Sequence, residues 1–314
     1  MIVRRAKDYI LLYLKGIAMG GADVIPGVSG GTVAFITGIY EELLHSIRSV
    51  DLDALKLLRS FQFADFWKKI NGSFLLVLFA GILTSLLSLA KLMTWLLANH
   101  PIQVWSFFFG LILISSPLIL REIKKWHVGI IFSFIAGIVI AYLITILSPA
   151  QTPDDLWFIF IAGAIAICAM ILPGISGAFI LLLLSKYEYM IQAITQVNIP
   201  VIVVFALGCL TGIMSFSRLL SWILMHYRHV ALAMLGGFML GSLNKVWPWK
   251  YCLEFRENTK REQVCSIDKS VLPWDFFEKT GNDPQIIQAI VMMALGVYIV
   301  VLIEKIAERL KTNN

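Results

Sequence analysis

Residues 20–32 read Gly20-Gly-Ala-Asp-Val-Ile-Pro-Gly-Val-Ser-Gly-Gly-Thr32, and residues 172–177 read Leu172-Pro-Gly-Ile-Ser-Gly177. Each puts a Pro-Gly-x-Ser-Gly break inside an apolar run. Proline removes one donor from a helical hydrogen-bond ladder, and the glycine beside it relaxes the backbone. In lipid, backbone freed this way persists only where it is buried in protein or lines a wet cavity. The two motifs therefore predict broken helices inside a membrane, not continuous spans.

Reading outward from them uncovers a repeat. Residues 15–47 lie over 162–194 without gaps, setting Pro26, Gly27, Ser29 and Gly30 on Pro173, Gly174, Ser176 and Gly177. Val28 meets Ile175, Tyr40-Glu41 meets Tyr187-Glu188, and Gly16 meets Gly163. The match resumes with Thr84, Ser88, Lys91, Leu92 and Trp95 over Thr211, Ser215, Arg218, Leu219 and Trp222, then Gly110 and Ser115 over Gly237 and Ser242. Shared prolines, glycines, tryptophans and charges in one order are the mark of an internal duplication.

Composition agrees with a membrane setting. Of 314 residues, 59% are apolar and 15% charged, too little charge for the surface of a soluble domain. Apolar runs long enough to cross a ~30 Å hydrocarbon core recur along the chain. The expected fold is an all-α polytopic membrane protein of two inverted repeats, each a Pro/Gly-broken re-entrant hairpin plus three transmembrane helices. The first repeat, 1–150, holds a hairpin at 9–47, an amphipathic stretch at 50–72 and spans at 73–98, 102–120 and 128–148. The second, 151–314, holds a hairpin at 156–194, spans at 199–225, 230–247 and 286–306, and an external loop at 248–285. No cleavable signal peptide is expected.

Loop charges supply the orientation. If 9–47 enters and leaves on one side, the basic segments at 48–72, 121–125 and 227–229 and both termini all fall in the cytoplasm, as the positive-inside rule asks. If 9–47 crossed once, the first two of these would move outside. A hairpin plus three spans is an odd number of crossings, so the second half enters from the opposite side. Broken helices in inverted halves mark the substrate site of many secondary transporters. The formal charge of +6 does not point to nucleic acid, because the cations cluster at span ends.

Helix resumes after each motif, so Ser29, Gly30 and Gly31 with Thr32, and Ser176, Gly177 and Ala178, are expected to offer free amides. With a hydroxyl and the positive end of a helix dipole, these make an anion site. Gly27 and Gly174 let an oxygen-rich head group approach the backbone. The bland reading is that the glycines only permit tight helix packing. Ions at bilayer depth cost about 2.5–3.5 kcal/mol and usually face a partner or a cavity. Arg218 with Glu41 is the expected inner cluster and Lys91 with Glu188 the outer one, against simple snorkelling to the interface. Asp23 is a candidate proton carrier or cation ligand, or else a structural cap, and Lys15 is its expected partner.

Other chemistry finds little footing. A nucleophilic Ser29 or Ser176 needs a base in reach, and all five histidines lie at span ends or in loops. There is no HExxH or CxxC metal pattern, and no cofactor is expected. Cys168 and Cys209 read as inert packing residues. Cys252 and Cys265 share the external loop, where an oxidising compartment would favour a disulfide. The aromatic residues of that loop (Trp247, Trp249, Tyr251, Trp274, Phe276 and Phe277) are expected at the membrane interface. Transport of a soluble anion or ion through the same inverted halves stays open on these grounds, and an intramembrane hydrolase using Ser29 is the weaker alternative.

Residues 20–32, with the second motif at 172–177, resemble the signature of the PopT-type polyprenyl-phosphate transporters. That resemblance spans nearly the whole chain. It implies translocation of undecaprenyl phosphate, or a related polyprenyl-phosphate lipid, from the outer to the inner leaflet of the bacterial cytoplasmic membrane. The carrier is thereby recycled for peptidoglycan and other envelope polymers. Ala178, where the first half has Gly31, makes the second tip less permissive. Moving one negative charge inward against the membrane potential costs ~2.3 kcal/mol per 100 mV. A proton on the phosphate, or on Asp23, Glu41 or Glu188, would cancel that charge. Oligomeric state is not encoded in these features.

Overall fold

The computed structural model describes residues 5–23, 29–147, 152–257 and 263–312. Pro26, Gly27 and Val28 lie outside the described residues, and so does the side chain of Lys91. Helix α1 (Ala6–Asp23) leads to the short α2 (Gly30–Ile36) and α3 (Tyr40–Arg48). Two small helices, α4 (Leu52–Arg59) and α5 (Phe63–Lys69), precede the long α6 (Gly72–Asn99), α7 (Pro101–Leu120) and α8 (Val128–Ile146). The order then recurs as α9 (Leu156–Ile171), α10 (Gly177–Leu183), α11 (Tyr187–Thr195), α12 (Ile199–His226) and α13 (Arg228–Gly241). A hairpin of β1 (Lys250–Glu257) and β2 (Gln263–Ser270), then α14 (Pro273–Thr280), separates α13 from α15 (Ile286–Thr312).

The elements begin at residues that the sequence repeat equates. α2 and α10 start at Gly30 and Gly177, α3 and α11 at Tyr40 and Tyr187, and α6 and α12 are both 28 residues long. Packing repeats too. Within each half the first helix lies along the long one, α1 on α6 and α9 on α12; the other two pairs cross between halves, α7 on α15 and α13 on α8.

Glycines set all four pairings. A Cβ added at Gly16 would stand 2.4 Å from the Leu78 carbonyl oxygen, and one at Gly81 2.3 Å from that of Tyr13. Gly163 and Gly208 face Phe205 and Phe160 in the same reciprocal way. Between halves, Gly110 and Gly296 oppose Met293 and Phe107, while Gly137 and Gly237 oppose Met234 and Phe134. Lipid tails give helices no hydrophobic reason to associate, so close backbone approach through small residues drives contact instead.

The chain is a mostly helical polytopic membrane protein. By length and composition, α7, α8 and α12 suffice to cross a membrane, and α10–α11 form an apolar pair bent by 106°. Large apolar side chains cover the outside, among them Leu87, Val128, Phe132 and Ile287, each at least 74% exposed. Some bounds differ from expectation. The 50–72 stretch is two helices, broken where Phe61 adopts a positive φ, and Asn71 does likewise at the entry to α6. The span expected at 230–247 is helical only to Gly241, then tightens into a 3-10 turn over Ser242–Asn244.

The 248–285 segment is folded. β1 and β2 pair antiparallel, and Cys252 is bonded to Cys265 across them. Not all its aromatics lie at an interface. Trp249 and Phe276 are buried with Ile102 and Ala289, whereas Trp274 and Phe277 are exposed. The indoles are drawn in because the folded segment supplies acceptors: Trp249 donates to the Pro284 carbonyl at 2.8 Å and Trp247 to that of Val271 at 2.7 Å.

Gly237→Val should drive a branched side chain into the Phe134 carbonyl and destabilise the fold by about 1–3 kcal/mol. Thermal melting of the purified protein checks this, and an unshifted melting curve would contradict the exchanged packing of α13 on α8.

Candidate functional site

The broken tips of the two halves touch. Ser29 caps α2: its hydroxyl accepts from the Gly31 amide at 3.1 Å and donates to the Met170 carbonyl at 3.0 Å. Met170 belongs to the last turn of α9, in the other half. Three residues on, the Thr32 hydroxyl accepts from the Gly174 amide at 2.9 Å. Ser29 and Thr32 are both buried, at 1% and 0% exposed. Each hydroxyl thus satisfies a backbone group that the opposite break leaves without a helical partner.

Crowding at the junction explains the glycines. A Cβ at Gly31 would lie 2.7 Å from the Ile171 carbonyl oxygen, and one at Gly177 2.5 Å from that of Ala166. Gly174 has a φ of +89°, a conformation most side chains resist, and presses against Phe238 and Met239 of α13. The packing reading therefore holds for Gly31 and Gly177, and it operates at the very place where the anion reading put the site.

The Gly30 and Gly31 amides expected to be free in the first motif are taken in this conformation. Gly30 donates to the Asp23 carboxylate at 2.7 Å and Gly31 to Ser29, while in the second motif Gly174 donates to Thr32. Asp23 therefore caps α2 from the end of α1, across the break. Lys15 reaches the other end of the same helix, donating to the Thr37 carbonyl at 2.7 Å. Beside Asp23 and Gly31 lies a cavity of about 110 Å³, otherwise apolar and walled by Tyr40, Met170 and Ile171. Ser176 differs from Ser29. Its hydroxyl accepts one long bond, from Phe179 at 3.4 Å, and donates none among the described residues.

The expected Arg218–Glu41 cluster is not formed. Glu41 pairs instead with Arg228 at 2.6 Å, and the same guanidinium holds Glu122 at 2.8 Å. Arg228 opens α13 between the two carboxylates, whereas Arg218 points to the Val50 carbonyl at 3.5 Å. Arg228 was visible as a cation on the same side as both acids, but nothing in the spacing ranked it above Arg218. Glu188 sits in the first turn of α11, as Glu41 does in α3. Three cations outside the original set also stand out. Lys186, 1% exposed, donates to the Thr152 carbonyl and to Asp154. Lys245 and Lys250 share the Asp268 carboxylate.

Thr32→Val should strand the buried Gly174 amide and cost about 1–3 kcal/mol, while Thr32→Ser should keep most of the stability. Parallel melting curves test this, and equal loss in both variants would argue against the hydroxyl–amide bond.

A family profile described as VCA0040-like, undecaprenyl phosphate translocase-like, matches residues 19–264, from just before the first motif to the start of β2. A Vibrio cholerae serotype O1 protein named polyprenyl-phosphate transporter is 47% identical over 305 residues, covering 97% of this chain and 99% of its own length. A Staphylococcus aureus protein of the same name is 33% identical over 254 residues, 75% of this chain and 85% of its own. No solved structure matches this chain. With its two Pro-Gly-x-Ser-Gly breaks and this near full-length likeness, the chain belongs to the undecaprenyl phosphate translocase-like family.

Proposed function

We propose that the protein carries undecaprenyl phosphate, or a closely related polyprenyl phosphate, from the outer to the inner leaflet of the bacterial cytoplasmic membrane, returning the carrier lipid for envelope polymer synthesis. The observation that carries the reading is the junction of the two breaks, where Thr32 holds the Gly174 amide and Ser29 the Met170 carbonyl. A phosphate oxygen is a stronger acceptor than a threonine hydroxyl. Once the tips part, it would take over the Gly174 amide, and Ser29 and Thr32 would turn their hydroxyl protons toward it. The isoprenoid tail would stay in lipid.

Two further points support this. The halves share their breaks, the lengths of the two short helices and the long helix that follow each break, and their glycine contacts, as alternating access by inverted repeats asks. On that reading 9–47, from α1 to α3, and 156–194, from α9 to α11, are re-entrant hairpins entering from opposite faces, and both termini are cytoplasmic. The Ser29 hydroxyl donates to a backbone carbonyl, not to a base, which disfavours a nucleophilic role. Asp23 caps the Gly30 amide, so protonating it would loosen the first tip and offset the substrate's charge in one step. Movement is accordingly proton-linked on this account.

In vesicles containing the purified protein and polyprenyl phosphate, an impermeant phosphatase should consume the lipid of both leaflets rather than the outer half alone. Ser29→Ala should slow that second phase at least about tenfold, the effect of losing a bond to a charged group. Wild-type vesicles that behave like protein-free ones would contradict the proposal.

A further inference from the structure

Lys245 lies beside the second tip, and Lys250 lies next to Lys245. Lys245 lines a crevice of about 10 Å³ together with Gly174, Ser176 and Phe179. Its ammonium stands 4.3 Å over the Phe179 ring. Lys250, the first residue of β1, donates to the Lys245 carbonyl at 2.9 Å, so the two stems are fixed to one another. Both ammonium groups reach a single oxygen of Asp268, at 3.5 and 3.2 Å. The lysine side chains are 18% and 15% exposed.

Two largely covered cations that share one carboxylate leave a net positive charge among the described residues, and an uncompensated charge away from water is costly. Burial pushes the Lys250 ammonium down to about 8, reinforced by Lys245 and opposed by Asp268. A second group next to them also lacks its full complement. The Ser176 hydroxyl is 6% exposed and donates to nothing among the described residues. A proton donor and the Lys245 ammonium thus share one crevice, Lys250 is tied to Lys245, and among the described residues Asp268 is the one carboxylate that answers the two ammonium groups.

The arrangement is confined to one half. The sequence repeat sets Leu118 and Ile123 in the places of Lys245 and Lys250, and Asp268 comes from the inserted hairpin. This lysine pair therefore has no counterpart in the first half. A carrier that collects its substrate from one side has a use for such asymmetry.

We propose that Lys245, Lys250 and Ser176 form a receiving site for a phosphate dianion, with the Asp268 carboxylate occupying the phosphate's place until it arrives. The site takes a phosphate monoester, the lipid headgroup, or free phosphate by the same chemistry. Its assignment to substrate uptake rests on the transport reading above, in which this face is external. The crevice is too small for a phosphate as it stands. The Lys245 ammonium must leave the Phe179 ring to admit one, which its flexible four-carbon stem allows.

Binding to the full-length protein in lipid nanodiscs tests the site, with farnesyl phosphate and inorganic phosphate as separate probes. The double variant Lys245→Gln, Lys250→Gln should weaken farnesyl phosphate at least about tenfold, as loss of charge-assisted hydrogen bonds does. Asp268→Asn should act in the opposite direction and tighten it about threefold, the scale of one screened competing charge. A purely structural ion cluster would lose stability in Asp268→Asn without gaining affinity, so melting curves accompany each titration. Unchanged affinity in both variants, with wild type still binding, would overturn the site and leave the transport reading standing. Equal affinity for the two probes would support the site and assign it to free phosphate, against a lipid substrate. A wild type that binds neither probe would overturn both.

Discussion

Everything in this molecule answers to one constraint: backbone broken inside a membrane must find its hydrogen bonds within the protein. Each half interrupts a helix at Pro-Gly-x-Ser-Gly, and each interruption strands amides and carbonyls. The solution joins the two breaks. Ser29 takes the Met170 carbonyl and Thr32 the Gly174 amide, so side chains of the first break complete the backbone of the second. Asp23 closes the remaining gap at Gly30. These bonds need the tips within about 3 Å of each other, and that in turn requires glycine wherever a Cβ would meet a carbonyl.

The same economy of small residues holds the scaffold that brings the tips together. Four helix pairs are each fastened by two reciprocal glycines, two pairs within the halves and two between them. Exchange of the outer helices, α7 with α15 and α13 with α8, means that neither half is complete alone. Any relative movement of the halves must pass through the tip junction, because Thr32, Ser29 and Gly174 belong to it from both sides. The halves are otherwise unequal. The Glu41–Arg228–Glu122 triad is not repeated, because the sequence match equates Arg228 with Pro101 and Glu122 with the buried Trp249. An ionic contact in one place is answered by an aromatic core in its equivalent.

Much of this was readable from the residues because it depends on local rules. A serine before a glycine-led apolar run starts a helix wherever it stands, and α2 and α10 begin where the two motifs say. The repeat was readable for the same reason, since equal local sequence made equal elements. Partners were not. Whether the Gly30 amide faced an anion or Asp23 depended on how the chain turns between α1 and α2, and spacing says nothing of that path. Choosing Arg228 over Arg218 for Glu41 required knowing where α13 starts in space. The lysine pair escaped notice because Lys245 looked like an ordinary cation at the end of a span, and only the fold of the 248–285 segment brings Lys250 and Asp268 to it.

The central claim is that the two breaks form one site. A density map of the full-length protein in nanodiscs with undecaprenyl phosphate tests it most directly. The account predicts a phosphate between the tips, within hydrogen-bond reach of Ser29, Thr32 and the Gly174 amide, with the Thr32–Gly174 bond broken to admit it. A headgroup bound away from both the tips and the Lys245–Lys250 pair, with that bond intact and the junction still sealed, would contradict it.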